Sequence, residues 1–215
     1  FKLLETMRLE NGRFNLLDSH LARLQRAAHH FAFPYDEPAI HQTLRRLQAT
    51  LTDSPNQNRD RSNLWRVRLQ LDDQGKAHAE SFIGNSTPNI VDISLAATFF
   101  EANQSEFTRF KTTRRAHYDA VAPRDPNVFD TLLYNSQGEL TEFTRGNVAV
   151  LLTGQWLTPS LHCGLLDGVG RAQSLAEGRV REAVITLHDL PKAQGIAFIN
   201  SLRGWVSARL VDSAS

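Results

Sequence analysis

Phe107-Thr-Arg-Phe-Lys-Thr-Thr-Arg-Arg-Ala-His-Tyr118 places one lysine, Lys111, among apolar, hydroxyl and cationic neighbours, at what reads as the entry to a helix over residues 111–121, cut off by Pro123 and Pro126. Burial and adjacent guanidinium groups both disfavour an ammonium. A lysine held in that way becomes nucleophilic near neutral pH, as chemistry on carbonyl compounds requires. The competing reading is a basic, solvated helix start that touches nothing. The segments on either side decide between the two.

With 41% hydrophobic and 22% charged residues in a chain of 215, one large domain or two modest ones can be buried. A formal charge of +1 gives a polyanion little to hold. Nucleic-acid binding would therefore have to come from a local patch such as residues 109–115, and the total argues for a small-molecule substrate. The single cysteine, Cys163, excludes an internal disulfide framework and a zinc site of clustered cysteines, which fits a reducing compartment. No metal site is indicated. The longest apolar runs, at 148–152 and 196–199, fall short of a membrane span, and no basic-then-apolar leader opens the chain. The expectation is a cytoplasmic protein without a membrane partner.

Residues 1–9 alternate as a strand, Asn11-Gly12 is a hairpin turn, and 14–17 resume as strand. On the first strand Leu4, Thr6 and Arg8 share one face, so a hydroxyl and a guanidinium point the same way. Asp18-Ser19 is expected to cap a helix with Leu21, Leu24, Ala28 and Phe31 on one stripe, and His20, Arg23 and Arg26 among its polar members. A second helix opens at Asp36-Glu-Pro38 with Ile40, Leu44, Leu47 and Leu51 inward, followed by a mobile polar loop over 53–62. Strands at 64–71 and 76–82 flank the turn Asp72-Asp-Gln-Gly75. Ile83-Gly-Asn-Ser-Thr-Pro-Asn89 reads as a linker. We accordingly expect a small domain at 1–82, a linker at 83–89 and a larger domain at 90–215.

In the larger domain strands are expected at 90–100, 129–135, 139–144, 147–153, 180–186, 195–200 and 205–210, with a loop at 101–105. The hairpin order implies an antiparallel sheet. A loop over 159–170 leads through Gly168-Val-Gly-Arg171 into a helix stopped by Gly178. A helix start preceded by glycines offers unpaired backbone N–H groups to an anion, although Gly-x-Gly also caps helices for structural reasons alone. Glu142, between two apolar strands, needs a partner cation or a shared proton unless it lies on a wet edge. Arg23 is either a site cation or part of a solvated helix face.

Leu4-Glu-Thr-Met-Arg-Leu9, His20-Leu-Ala-Arg-Leu24, Lys111-Thr-Thr-Arg-Arg115, Leu140-Thr-Glu-Phe-Thr-Arg-Gly-Asn147, Gly168-Val-Gly-Arg171 and Phe198-Ile-Asn-Ser-Leu-Arg-Gly-Trp205 together span nearly the whole chain. In this order they resemble the motifs of the fold-type IV pyridoxal-phosphate enzymes, which include branched-chain aminotransferases, D-amino-acid aminotransferases and aminodeoxychorismate lyases. The resemblance implies an α+β fold of the D-amino-acid aminotransferase type, with a small α/β domain and a larger, mostly antiparallel β domain with helices. It implies that Lys111 binds pyridoxal 5'-phosphate covalently and then moves the proton, and that Glu142 pairs with the pyridine nitrogen. Arg23, the backbone N–H groups of Val169 and Gly170, and the Ser201 hydroxyl would hold the phosphate. Relatives often carry threonine where Ser201 stands. The aminotransferase tyrosine that reaches the ring oxygen is replaced here by Ala116, leaving Tyr118 as its substitute beside ring or substrate.

Glu5-Thr-Met-Arg8, Lys111-Thr-Thr113 and Asn200-Ser-Leu-Arg-Gly-Trp205 look most like the lyase branch, above all the lyase domain fused behind the chorismate-amidating component of para-aminobenzoate synthase. That likeness implies conversion of 4-amino-4-deoxychorismate to 4-aminobenzoate and pyruvate, a step toward folate. Thr6 would be the acid near the departing group, and Arg8, Arg115 and Arg203 would anchor carboxylates. It further implies a homodimer, fusion to or association with a chorismate-amidating domain, and N-terminal strands of the small domain beyond Phe1. Two alternatives stand beside it: a class IV aminotransferase acting on D- or branched-chain amino acids, and a non-catalytic docking domain of a longer fused polypeptide.

Overall fold

A computed structural model describes residues 1–52, 64–100 and 106–211, so the expected loops at 53–62 and 101–105 lie outside the described residues. Two compact units are present, Phe1–Ser86 with Lys111–Arg114, and Thr87–Phe110 with Arg115–Ser215.

In the first unit, β1 (Leu3–Glu10) turns at Asn11-Gly12 onto the short β2 (Arg13–Phe14). Both turn residues have positive φ, 49° and 72°, a conformation that glycine adopts freely and asparagine tolerates. β3 (Leu64–Leu71) lies antiparallel along the whole of β1, and β4 (Ala77–Ile83) follows, giving the order β2-β1-β3-β4. Period two then sorts the side chains. Leu3, Met7, Leu9, Val67, Leu69 and Leu71 share the buried face, each worth about 1.5–3 kcal/mol on enclosure.

Helix α1 (Leu17–His30) contacts β1, and α2 (Glu37–Thr52) contacts β4. The expected cap at Asp18-Ser19 is corrected. The helix starts at Leu17, the preceding Leu16 is left-handed at φ 54°, and no side chain caps it. Asp18 instead lies in the first turn, where a carboxylate complements the helix dipole. Asp36 opens α2 as expected, its Oδ1 accepting from Ala39 N at 3.0 Å, and Ile40 and Leu44 are buried.

The helix expected from Lys111 is also corrected. Helix α3 (Glu106–Arg109) ends before this lysine and α4 (Ala116–Asp119) begins after it. Between them the chain runs along β1. Leu4 N donates to Lys111 O at 3.0 Å, Thr113 N donates to Lys2 O at 2.9 Å, and Leu3 pairs with Thr112. β2 covers this edge of β1 only at Leu9 and Glu10, so the backbone groups near Leu3 need other partners, and β-branched Thr112 and Thr113 suit the extended form.

In the second unit, β5 (Ile90–Leu95), β6 (Asp130–Tyr134), β7 (Leu140–Phe143), β8 (Asn147–Leu152), β11 (Gly195–Asn200) and β12 (Gly204–Leu210) close into a ring. β8 closes it because one of its edges is shared, pairing with β7 at Asn147 and with β9 (Gln155–Pro159) from Val150 onward. β10 (Arg181–Ala183) extends the sheet beyond β9. Most pairings are antiparallel. β12 with β5, β5 with β6, and β9 with β10 are parallel, so the unit is the mostly antiparallel β domain that was expected, with parallel pairings that hairpin order does not reveal. Strand β9 was not expected at all. Ile93, Leu132, Phe143, Val148, Val150 and Phe198 fill the core, and α5 (Val169–Ala176) lies against β11.

Candidate active site

The β7–β8 turn is tight, with Phe143 N donating to Gly146 O at 2.7 Å and Glu142 directly opposite Asn147. Cross-strand partners project from one face of a sheet, so the Glu142 carboxylate and the Asn147 amide lie on the same side. Asn147 Nδ2 donates to Leu166 O at 2.9 Å, and its Oδ1 faces Gly168 so closely that a Cβ there would come within 1.9 Å. Gly168 is the N-cap of α5, and no side chain caps that helix. Its first internal bond is Ala172 N to Gly168 O, so the N–H groups of Val169 and Gly170 have no helical acceptor.

Gly170 is the second close approach. A Cβ there would stand 2.7 Å from Asn200 C and 2.9 Å from Ser201 N. The start of α5 is thus seated on the turn after β11, beside Ser201. That turn is fixed by Asn200, whose Nδ2 donates to Arg145 O at 3.2 Å and whose Oδ1 accepts from Arg203 N at 2.7 Å. Buried Arg171 ties the helix to β9 and β10 through Pro159 O, at 2.9 Å, and Glu182. Glycines seat this uncapped helix start against Asn147 and Asn200-Ser201, and the carboxylate of Glu142 projects from the sheet face that carries Asn147. This donor set fits a ligand with a phosphate and a protonated ring nitrogen.

Glu142 is 3% exposed, and it is not on a wet edge. Tyr118, from α4, donates its O–H to Glu142 Oε1 at 2.6 Å. Burial, then the charge of Glu142 and this hydrogen bond, push the phenol well above its usual value, so the hydroxyl keeps its proton. Arg115 stacks 4.8 Å over the Tyr118 ring and donates through Nη2 to Thr144 O at 2.7 Å. Arg203, also expected at substrate, donates to Thr87 Oγ1 at 3.1 Å and lies over Phe129.

The first unit holds Thr6, Arg8, Arg23 and Lys111. Arg23 is 8% exposed, which corrects the solvated helix face. Its Nε donates to Glu5 Oε1 at 2.9 Å and its Nη2 to Glu5 Oε2 at 2.6 Å, while His20 Nδ1 lies 2.6 Å from the same Oε2. Burial alone would raise the Glu5 carboxyl. The Arg23 charge and the hydrogen bonds from His20 and Arg23 outweigh it and bring the group down to about 2. On the opposite face of β1, Arg8 pairs with Glu10 and stands across from Arg66, and Thr6 stands across from Arg68. Both of these β3 guanidinium groups lie over Phe82, at 4.5 and 5.8 Å. Sequence reasoning missed Arg66 and Arg68. The alternation Arg66-Val-Arg68 on a predicted strand was the available signal.

Residues 2–211 match the family Amino-transferase class IV, and the chain belongs to that pyridoxal-phosphate-dependent family. A Schizosaccharomyces pombe protein provisionally named aminodeoxychorismate lyase is 29% identical over 91% of this chain and 84% of its own length. The solved structure of a provisionally named amino-acid aminotransferase from Mesorhizobium loti is 34% identical, covers 98% of this chain and 99% of its own, and superposes with a TM-score of 0.85. A hypothetical aminotransferase from Mycobacterium tuberculosis, solved in its pyridoxal-phosphate-bound form, shares the fold at 18% identity and a TM-score of 0.78 over 99% of this chain and 81% of its own. The chain is therefore an enzyme, a lyase or a transaminase, acting on a small molecule with pyridoxal phosphate. Among the described residues no helix is long and apolar enough to cross a membrane.

Proposed function

We propose that the protein is an aminodeoxychorismate lyase, splitting 4-amino-4-deoxychorismate into 4-aminobenzoate and pyruvate. The observation that carries the reading is the half-buried second face of β1 and β3, where Thr6 stands across from Arg68, next to the facing pair Arg8 and Arg66. A substrate with two carboxylates needs cations, and a departing enolpyruvyl group needs an acid. The likeness to a protein named for this activity supports the same reading.

The two products account for every atom of the substrate, so neither water nor a redox partner enters. Pyridoxal phosphate, when bound, supplies the sink for the electron pair released at the amine-bearing carbon. Lys111 Nζ removes the proton from that carbon. Glu142 would accept from the ring nitrogen and keep its proton in place. The N–H groups of Val169 and Gly170 and the Ser201 hydroxyl would hold the phosphate, and the motif resemblance adds the Arg23 guanidinium to them. Thr6 Oγ1 delivers a proton as the C–O bond to the enolpyruvyl group breaks, and the Arg8 face orients the carboxylates. Formation of the aromatic ring makes the cleavage effectively irreversible. A homodimer in the cytoplasm, fused to or working with a chorismate-amidating domain, belongs to the same reading and rests on the motif resemblance.

The alternative, a transaminase for D- or branched-chain amino acids, is favoured by the name of the Mesorhizobium loti relative. The purified protein, given pyridoxal phosphate and 4-amino-4-deoxychorismate, is expected to release 4-aminobenzoate and pyruvate in equal amounts. Keto-acid formation from amino-acid donors, without that release, would establish the transaminase instead.

A further inference from the structure

Tyr118 is more than a filler of the second unit's interior. It is 5% exposed and stacked on Phe100 at 5.4 Å, and it packs against Leu133. The stack on Phe100 and the Arg115 guanidinium 4.8 Å over the ring hold the phenol with its O–H on Glu142 Oε1 at 2.6 Å. Packing alone would be served as well by phenylalanine. A hydroxyl held at hydrogen-bond distance from a buried carboxylate instead restrains that carboxylate's rotation.

We propose that Tyr118 is a positioning residue for the cofactor, acting through Glu142: its hydroxyl, held by Phe100 and Arg115, keeps the carboxylate in the orientation in which it would partner the pyridine nitrogen. The proposal rests on the reading of Glu142 as the ring-nitrogen partner. The hydroxyl remains a donor across the working range, because burial and the neighbouring carboxylate hold its proton on. Arg115 has a part in this arrangement. Its bond to Thr144 O, next to the β7–β8 turn, joins the segment carrying Tyr118 to the hairpin carrying Glu142. This is a different task from contact with the ring oxygen, the role that motif position alone gave to Tyr118.

The test is a double-mutant cycle read as affinity for pyridoxal phosphate, measured by titrating the cofactor-free full chain and following the visible band. Tyr118→Phe is expected to weaken binding about tenfold, the effect of losing one hydrogen bond to a charged group. In a Glu142→Ala background the same change is expected to have almost no further effect. A role confined to packing would give the same fold-loss in both backgrounds, and no loss in either would equally overturn the proposal. Thermal melts of the cofactor-free variants establish that each is folded, and Tyr118→Leu, which lacks both ring and hydroxyl, is expected to bind no better than Tyr118→Phe. If wild-type protein forms no visible band that depends on Lys111, the reading of the site fails. If the band forms and the cycle is additive, only the role of Tyr118 fails.

Discussion

Glu5 grips Arg23 with both carboxylate oxygens, at 2.9 and 2.6 Å, and the same carboxylate also holds His20. All three are buried on the α1-facing side of β1. That grip fixes the guanidinium, and the ion pair sets how the fold responds to acid.

Folded Glu5 is held at about 2 against an ordinary value of 4.5. Its contribution to stability is fully present above 4.5 and is lost as pH falls from there toward 2, about 3 kcal/mol in all. Urea unfolding between pH 2 and 7 is expected to show that loss. Glu5→Gln should lower stability at pH 7 by about 3–5 kcal/mol, because Arg23 and His20 lose their carboxylate, and should flatten the acid limb. An acid limb of unchanged slope in the variant would contradict the assignment.

Gly170→Ala places a methyl group 2.7 Å from the Asn200 carbonyl carbon, and backbone atoms at that distance have to move. A cost of about 1–3 kcal/mol is expected, with affinity for pyridoxal phosphate falling about tenfold or more as the helix start leaves the Ser201 turn. Gly12→Ala is the control. Open space surrounds that residue and only its φ of 72° is strained, so about 1 kcal/mol of stability is expected to go with cofactor binding unchanged.

Thr6→Val keeps the shape of the β1 face and removes its proton donor. Pyruvate release is expected to slow about a hundredfold while pyridoxal phosphate still binds. Arg68→Gln, across the strand pair, should leave turnover nearly unchanged and raise KM for the dicarboxylate about tenfold. Steady-state kinetics on 4-amino-4-deoxychorismate separate the two effects. A fall in turnover for Arg68→Gln equal to that for Thr6→Val would argue against the division of labour.

Local chemistry made part of this fold legible. Asn11-Gly12 announced its hairpin, Asp72 and Gly75 announced the β3–β4 turn, and Gly195–Asn200 falls on a strand read directly from its apolar run. What depends on distant partners was not legible. The parallel pairing of β5 with β12 and β6 joins segments far apart in sequence, and β9 follows Gly154 and ends in Pro159, which reads as a loop. Lys111 lies beside β1 and not in a helix because an uncovered strand edge needed partners, a need invisible in the stretch that contains it. The choice between site cation and solvated face stayed open for Arg23 for the same reason, since its acid lies on another element. At the candidate site the glycines and Glu142 stood out by residue type, whereas the hydroxyl of Tyr118 could be placed on Glu142 only in three dimensions.

Lys111 is the amine expected to carry the cofactor. Borohydride reduction of the protein loaded with pyridoxal phosphate, followed by peptide mapping, is expected to find the label on Lys111 alone, and Lys111→Ala is expected to lose the visible band while remaining folded. A label on Lys2, Lys76 or Lys192, or a band that survives in Lys111→Ala, would contradict it.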